Sequence, residues 1–294
     1  MKPQVKMDEI ISNGNGTNGN IDARNKLNDL TGKDWLVETK SFLYQRGLGA
    51  NSAEAKYEKM HPAPFSFTDV SKLIRFFTKK QGKVFDPFSG VGSTIKACLE
   101  SGREGFGVEL EPKWCEITKQ RLSEESDYLI DEKHLVCGDS RKIKKYFKPD
   151  SFDFIVTSPP YWNILDKRDH KANERVRNGQ ETKYSESKMD LGNVADYPSF
   201  LEELSKIFLD CHDLLKAGKY MCIVVSDFRH KSEFIPFHAD LIYKLTNKNS
   251  EKYFHLRGVK ILIQNAKKLF PYGYPFSYVE NIHHQYILVL NKPK

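Results

Sequence analysis

The feature that most restricts the fold of this chain is an alternation running from residue 83 to residue 225. Segments of strand character are "KVFDPF" from Lys83, "GFGVEL" from Gly105, "HLVCGD" from His134, "FDFIVTS" from Phe152 and "KYMCIVVSD" from Lys219. Between them lie helical patterns. "STIKACLES" ends at Gly102, and "EPKWCEITKQRLSEE" carries Trp114, Ile117 and Leu122. "YPSFLEELSKIFLDCHDLLKAG" places Leu201, Leu204, Phe208, Cys211 and Leu215 at helical spacing and closes at Gly218. Strand and helix in turn build βαβ units, hence an α/β fold with a mainly parallel sheet and helices on both faces. Ahead of the alternation, "FSFTDVSKLIRFFTKK" puts Phe67, Val70, Leu73, Ile74 and Phe77 on one helical face, and Gly82 stops it. After it, "GVKILIQ" and "HQYILVLN" read as two more strands that need not be parallel to the rest.

The 294 residues are enough for one large α/β domain with appendages. "ISNGNGTNGN" (Ile11 to Asn20) is low-complexity with nothing to bury, so residues 1–34 are expected to form a flexible tail and residues 35–294 a single domain. Within it, residues 163–193 are polar and non-periodic, a long loop of the kind that is functional or disordered. A net charge of +7 tilts the chain towards a polyanionic partner. No apolar run approaches the ~20 residues of a membrane helix. The opening "MKPQVKMDEI" lacks a signal-peptide core, so a cytoplasmic location without a membrane partner is expected. The five cysteines form no C-x-x-C pair and read as buried small hydrophobes. His283 and His284 are adjacent in a strand and point to opposite faces, so no metal site is indicated.

Chemistry concentrates in "VFDPFSGVGST", Val84 to Thr94: a strand, an acidic residue, then a glycine-rich turn opening a helix. Gly90, Gly92 and Thr94 belong to a turn that allows close approach of a ligand at the carboxyl edge of the sheet. No Gly-Lys-Ser/Thr follows, which excludes a P-loop, and Ile95 stands where a dinucleotide fingerprint wants a third glycine. What remains suits a nucleoside-type ligand without a pyrophosphate. Glu109 ends the next strand, where an acid accepts both ribose hydroxyls or sits at a helix N-terminus. Asp139 ends the third, as an acceptor for an adenine amino group or as a turn residue. "FIVTSPPYW" (Phe154 to Trp162) is a strand stopped by two prolines. It is either a core-capping turn or a rigid functional corner.

The pairing of "DPFSGVGST" with "TSPPYW" resembles the DNA methyltransferases that modify exocyclic amino groups, cytosine N4 or adenine N6, with S-adenosylmethionine. "HPAPFS" (His61 to Ser66) resembles the family's motif X, and "NIHHQYILVLNK" (Asn281 to Lys292) its closing strand. The resemblance covers roughly residues 35–292. It implies a Rossmann-like methyltransferase fold, with a seven-stranded, mainly parallel sheet and an antiparallel last strand. It places the methionine end of the cofactor against His61, Pro62, Asp86, Pro87 and Phe88, the ribose at Glu109 and the adenine at Asp139. It makes Ser158, Pro159, Pro160 and Tyr161 the catalytic motif.

Elementary chemistry agrees. An exocyclic amine is a poor nucleophile because its lone pair is delocalised into the ring. Acceptors aimed at its hydrogens, Ser158 Oγ and the Pro159 carbonyl, favour a pyramidal nitrogen with a usable lone pair. Rigid prolines lower reorganisation at the moment of attack. Tyr161 offers a face to an extruded base, and Trp162 stacks beside it or packs. Ser ahead of the two prolines is the commoner pattern for cytosine N4; adenine N6 is the alternative, and an RNA amine a further one. Lys167 and Arg168 of the long loop, and Arg229 in "DFRHKSEF", are candidate contacts to duplex DNA. Family members often carry a separate recognition domain; with no large extra block between these motifs, either the N-terminal arm, the long loop and Lys231–Glu280 are expected to read the target, or a partner or second subunit does. The resemblance also brings a cognate restriction endonuclease into view as a partner.

Overall fold

The computed structural model describes residues 19–45, 55–61, 65–126, 128–163, 187, 189–231, 233–265 and 267–294. Strands that are hydrophobic at successive positions need cover on both faces. β2 (Lys83–Asp86), β3 (Glu104–Glu109), β4 (Leu135–Cys137), β5 (Phe152–Thr157) and β6 (Leu215–Val225) therefore lie side by side and parallel. Three further strands extend this sheet: β1 (Phe42–Tyr44), β9 (His255–Ile263) and β10 (His284–Asn291), in the order β1-β9-β10-β6-β5-β2-β3-β4. β7 (Phe228–His230) and β8 (Glu233–Ile235) form a separate hairpin.

Alternation along each strand divides the core. Val84, Phe154, Val156, Cys222 and Val224 turn to one face and pack on helices α3 (Phe67–Phe77) and α4 (Ser93–Glu100). The periodic apolar stripe of α3 (Val70, Leu73, Ile74, Phe77) is buried there. Phe85, Ile155, Met221 and Ile223 turn to the other face and meet α7 (Tyr197–Leu214), which buries Phe200, Leu204, Ile207, Phe208 and Cys211. Asp196 starts α7 by accepting the Ser199 amide at 2.8 Å. The remaining helices are α1 (Gly32–Glu38), α2 (Ala55–Met60), α5 (Pro112–Ser126), α6 (Ile143–Tyr146) and α8 (Phe237–Leu245).

The last strand is antiparallel, as the resemblance implies, and it lies inside the sheet between β9 and β6. It follows β9 without a crossover helix, and a direct return reverses direction. Among the described residues the sheet has eight strands rather than seven, because Phe42–Tyr44 adds to its edge parallel to β9. Three other expectations are corrected. Within the tail expected over residues 1–34, the described part from residue 19 is tied down: Asn28 is fully buried and its Nδ2 donates to the Phe76 carbonyl at 2.5 Å. Asp29 accepts the Lys80 amide at 2.6 Å. Gly218 does not close α7; the helix passes into β6 at Leu215, and Gly218, at φ 74°, is a bend within the strand. Among the cysteines, Cys137 is exposed and the other four are buried. Among the described residues no helix is long and apolar enough to cross a membrane.

Candidate active site

The parallel strands deliver their carboxyl ends to one edge, where the chain must turn from strand to helix. β2 ends at Asp86, which is 2% exposed. Its Oδ1 accepts from Thr157 Oγ1 at 2.6 Å and from the Phe88 amide at 3.0 Å, and its Oδ2 from Thr94 Oγ1 at 2.5 Å. Burial pushes this carboxyl up to about 6 against those three donors. Asp86 and Thr94 are thus consumed in shaping the turn and do not face a ligand. Gly92, at φ 74°, starts α4; a Cβ there would sit 2.4 Å from Thr118 Cγ2. Gly92 is therefore a packing glycine. Gly90, at φ 51°, faces open space, where a Cβ would meet only the His61 ring at 3.5 Å.

That open space is a cleft with a cavity volume of about 90 Å³. Pro87, Phe88 and Gly90 form one wall, with His61 edge-on to Trp114 at 4.9 Å between ring centres. Glu109, at the end of β3, presents a 9% exposed carboxylate to the cleft. Its Oε2 accepts the Gly90 amide at 2.8 Å and its Oε1 the Glu111 amide at 2.9 Å. Burial nevertheless lifts it to about 7. Asp139, 7% exposed, caps the turn Ser140–Lys142 through the Arg141 amide at 3.0 Å and also lines the cleft. Ser158, Pro159 and Pro160 line it as well. The glycine turn, both acids and the proline corner share one cavity.

Other expected residues lie elsewhere. The Tyr161 ring packs edge-on to Phe237 at 5.9 Å and its hydroxyl is engaged behind the cleft, receiving Gln285 Nε2 at 2.9 Å. Trp162 is corrected: it is 5% exposed, packs on Tyr197 and His230, and donates Nε1 to the Val194 carbonyl at 2.8 Å. Its ring belongs to the core, so it presents no stacking face to a nucleic acid. Arg229 donates to the Glu280 carbonyl at 2.8 Å and stands over Phe234. Pro62, Lys167 and Arg168 lie outside the described residues.

Several further contributors leave little trace in the sequence. Ser140 Oγ donates to the Pro87 carbonyl at 2.5 Å, joining the β4 end to the β2 turn. Arg141 contacts Asp139 at 3.3 Å, donates to Glu203 Oε2 at 2.7 Å and holds the Met189 carbonyl at 2.6 Å. It thereby fastens Met189, Asp190 and Leu191 to the cleft wall. Gly107 is also required, since a Cβ there would meet Ser89 Oγ at 2.5 Å. The available signals were the "DSR" run after β4 and the small residues inside β3.

A family model described as DNA methylase matches residues 8–120 and 152–294. The type II methyltransferase M.BglI of Bacillus subtilis is 27% identical over 92 residues, 29% of this chain and 26% of that protein. The type II methyltransferase M.ScaI of Streptomyces caespitosus is 30% identical over 70 residues, 24% of this chain and 23% of that protein. The tRNA (guanine(10)-N2)-dimethyltransferase of Pyrococcus abyssi (strain GE5 / Orsay) is 26% identical over 92 residues, 31% of this chain and 27% of that protein. The chain spans about a quarter of the length of these curated relatives.

Proposed function

This chain belongs to the DNA methylase family, and from that premise we propose that it transfers the methyl group of S-adenosylmethionine to the exocyclic N4 amine of cytosine in duplex DNA. The observation that carries the reading is one cleft shared by Ser158, Pro159 and Pro160 with two buried carboxylates, Glu109 and Asp139.

The donor set fits the cofactor. Glu109 is a buried acceptor whose two oxygens each hold one backbone amide and keep a lone pair for a ribose hydroxyl. Asp139 offers an acceptor to the adenine amine. Pro87, Phe88, Gly90 and His61 form the wall for the methionine end, with Asp86 and Thr94 holding the turn behind them. Bound there, S-adenosylmethionine supplies an electrophilic methyl group with a neutral thioether as leaving group. Ser158 Oγ and the Pro159 carbonyl accept the two amine hydrogens and favour the pyramidal nitrogen. The prolines hold both acceptors in place before the reaction. A base inside the helix cannot reach this corner, so the reading includes base flipping.

Ser158 ahead of the prolines favours cytosine N4; adenine N6 needs acceptors of the same kind and is the second reading. A tRNA dimethyltransferase among the relatives supports a structured RNA as a further one. For DNA contact, the 264–283 connection exposes the rings of Tyr274 (81%), Phe276 (94%) and Tyr278 (88%) and, earlier in the same connection, Lys267 and Lys268, so it carries both stacking faces and positive charge. Lys167, Arg168 and Arg229 complete the phosphate contacts in this reading. Type II methyltransferase relatives support a restriction-modification role with a cognate endonuclease.

The test is incubation with labelled cofactor and duplex DNA, then digestion and identification of the modified nucleoside. N4-methylcytosine is expected. N6-methyladenine moves the conclusion to the second reading, and label in RNA with none in DNA refutes it.

A further inference from the structure

The connection between β9 and β10 springs from the edge of the sheet that carries the cleft. β10 runs antiparallel to both neighbours, so its start and the end of β9 lie where β5 and β6 end. Thr157 pairs with Ile223 and Ile223 with Leu288, which sets these three residues at one level. His284, at the start of β10, therefore stands about 13 Å beyond that level on the cleft side, and β10 is two strands, about 10 Å, from β5. The foot of the connection touches the residue after the prolines: Gln285 Nε2 donates to the Tyr161 hydroxyl at 2.9 Å.

Internal bonds hold this connection in shape. Asn281 closes it into a loop, its Oδ1 accepting the Phe270 amide at 3.0 Å and its Nδ2 donating to the Phe270 carbonyl at 2.8 Å. Arg229 of the β7–β8 hairpin donates to the Glu280 carbonyl at 2.8 Å. Within the loop the Gly273 carbonyl accepts the Phe276 and Ser277 amides at 2.7 and 2.8 Å. Gly273 has φ 73°, and a Cβ there would sit 2.3 Å from the Ser277 carbonyl oxygen. A tight backbone thus presents a tip made of rings, with Phe276 94% exposed between Tyr274 and Tyr278. A phenyl ring has no hydrogen-bonding group, so this one gains contact energy only against an apolar or stacked surface. Lys267 and Lys268 in the same connection, and the net charge of +7, match a polyanion. Its place above the edge at which a nucleobase must enter the cleft selects the substrate duplex.

We propose that Phe276 is a wedge that enters the base stack of the duplex, fills the place vacated by the target base and keeps that base extruded towards Ser158. A base swung out of a duplex leaves an unstacked gap, and apolar side chains inserted between base steps offset that cost. This inference rests on the proposed methyl transfer with base flipping, and it gives the connection a task beyond contact with DNA.

The experiment places 2-aminopurine, which brightens on unstacking, at the target position of a duplex carrying the site that sequencing of methylated DNA identifies. Polarisation reads DNA affinity, emission at saturating protein reads extrusion, and thermal melts read stability. Phe276→Ala is expected to weaken affinity about tenfold, the scale of one lost aromatic–base stack, and to remove at least about half of the emission rise at saturation. Its melt is expected to match the wild type, since the ring is exposed, and Phe276→Trp is expected to keep both affinity and emission. Emission equal to wild type for Phe276→Ala at saturation would make the ring a surface contact and overturn the wedge, as would an active wild type that gives no rise. A dimer that Phe276→Ala converts to monomer in sedimentation would assign the tip to a second copy of this chain and overturn it too. A wild-type protein that methylates no DNA refutes the function itself, whereas an active wild type indifferent to Phe276→Ala refutes only the wedge.

Discussion

Glu109 offers a test in which two observables move in opposite directions. Burial raises its carboxyl from an ordinary 4.5 to about 7, and the amides of Gly90 and Glu111 only partly oppose this. In the free protein the group therefore titrates near neutrality. If ribose hydroxyls donate to both oxygens, only the ionised form binds cofactor well, and the apparent Kd is multiplied by 1 + 10^(7 − pH). That factor is about 1.1 at pH 8, about 11 at pH 6 and about 30 at pH 5.5. Binding at pH 7 also releases about half a proton, because about half of the molecules begin protonated. The unliganded fold responds the other way. The contribution of this carboxyl to stability is complete below about 4.5 and is lost as pH rises through about 7. Acidification from pH 8 to 5.5 thus gains about 2 kcal/mol from this group while affinity falls.

Calorimetry of S-adenosylmethionine binding across pH 5.5–8, in buffers of different ionisation enthalpy, measures Kd and proton release together. Thermal melts over the same range measure stability. Glu109→Gln is expected to bind at least about tenfold more weakly at pH 8, the cost of one lost charge-assisted hydrogen bond, with no pH dependence left below 7. A flat affinity profile for the wild type, or a slope that survives in Glu109→Gln, would refute the assignment of this carboxylate to the ribose.

Three further outcomes are expected. Ser158→Ala lowers methyl transfer by about 100-fold or more, the scale of a lost transition-state contact, with cofactor Kd near normal; equal loss of both would misplace the serine. Gly92→Ala costs about 1–3 kcal/mol by thermal melt, from the left-handed backbone and the Thr118 contact, and adding Thr118→Ser recovers only the steric part. Trp162→Phe costs about 1 kcal/mol through the lost bond to Val194 and leaves DNA affinity and its salt slope unchanged. A large loss of affinity at constant stability would return the ring to the DNA surface.

The parallel core was legible because its strands are buried on both faces and its helices on one. Both demands write themselves into local periodicity, as in Phe154-Ile155-Val156 and in Val70, Leu73, Ile74 and Phe77. The glycine turn, the two acids and the proline corner were legible for a related reason. Each follows a strand, and parallel strands must end at one edge.

What the sequence left open depended on partners remote in the chain. Asp86 reads as a ligand-facing acid, yet Thr157, 71 positions away, takes its Oδ1. Trp162 sits beside the proline corner in sequence and faces Tyr197 and His230 in space. Arg141 and Gly107 leave only a faint local trace, the "DSR" run and the small residues inside β3, since each acquires its task only when distant segments lie side by side. Periodicity reports how much of a side chain must be buried, a property of its own segment. Which lone pair meets which hydrogen is settled only by packing, and that is where the partners of Asp86 and the burial of Glu109 were decided.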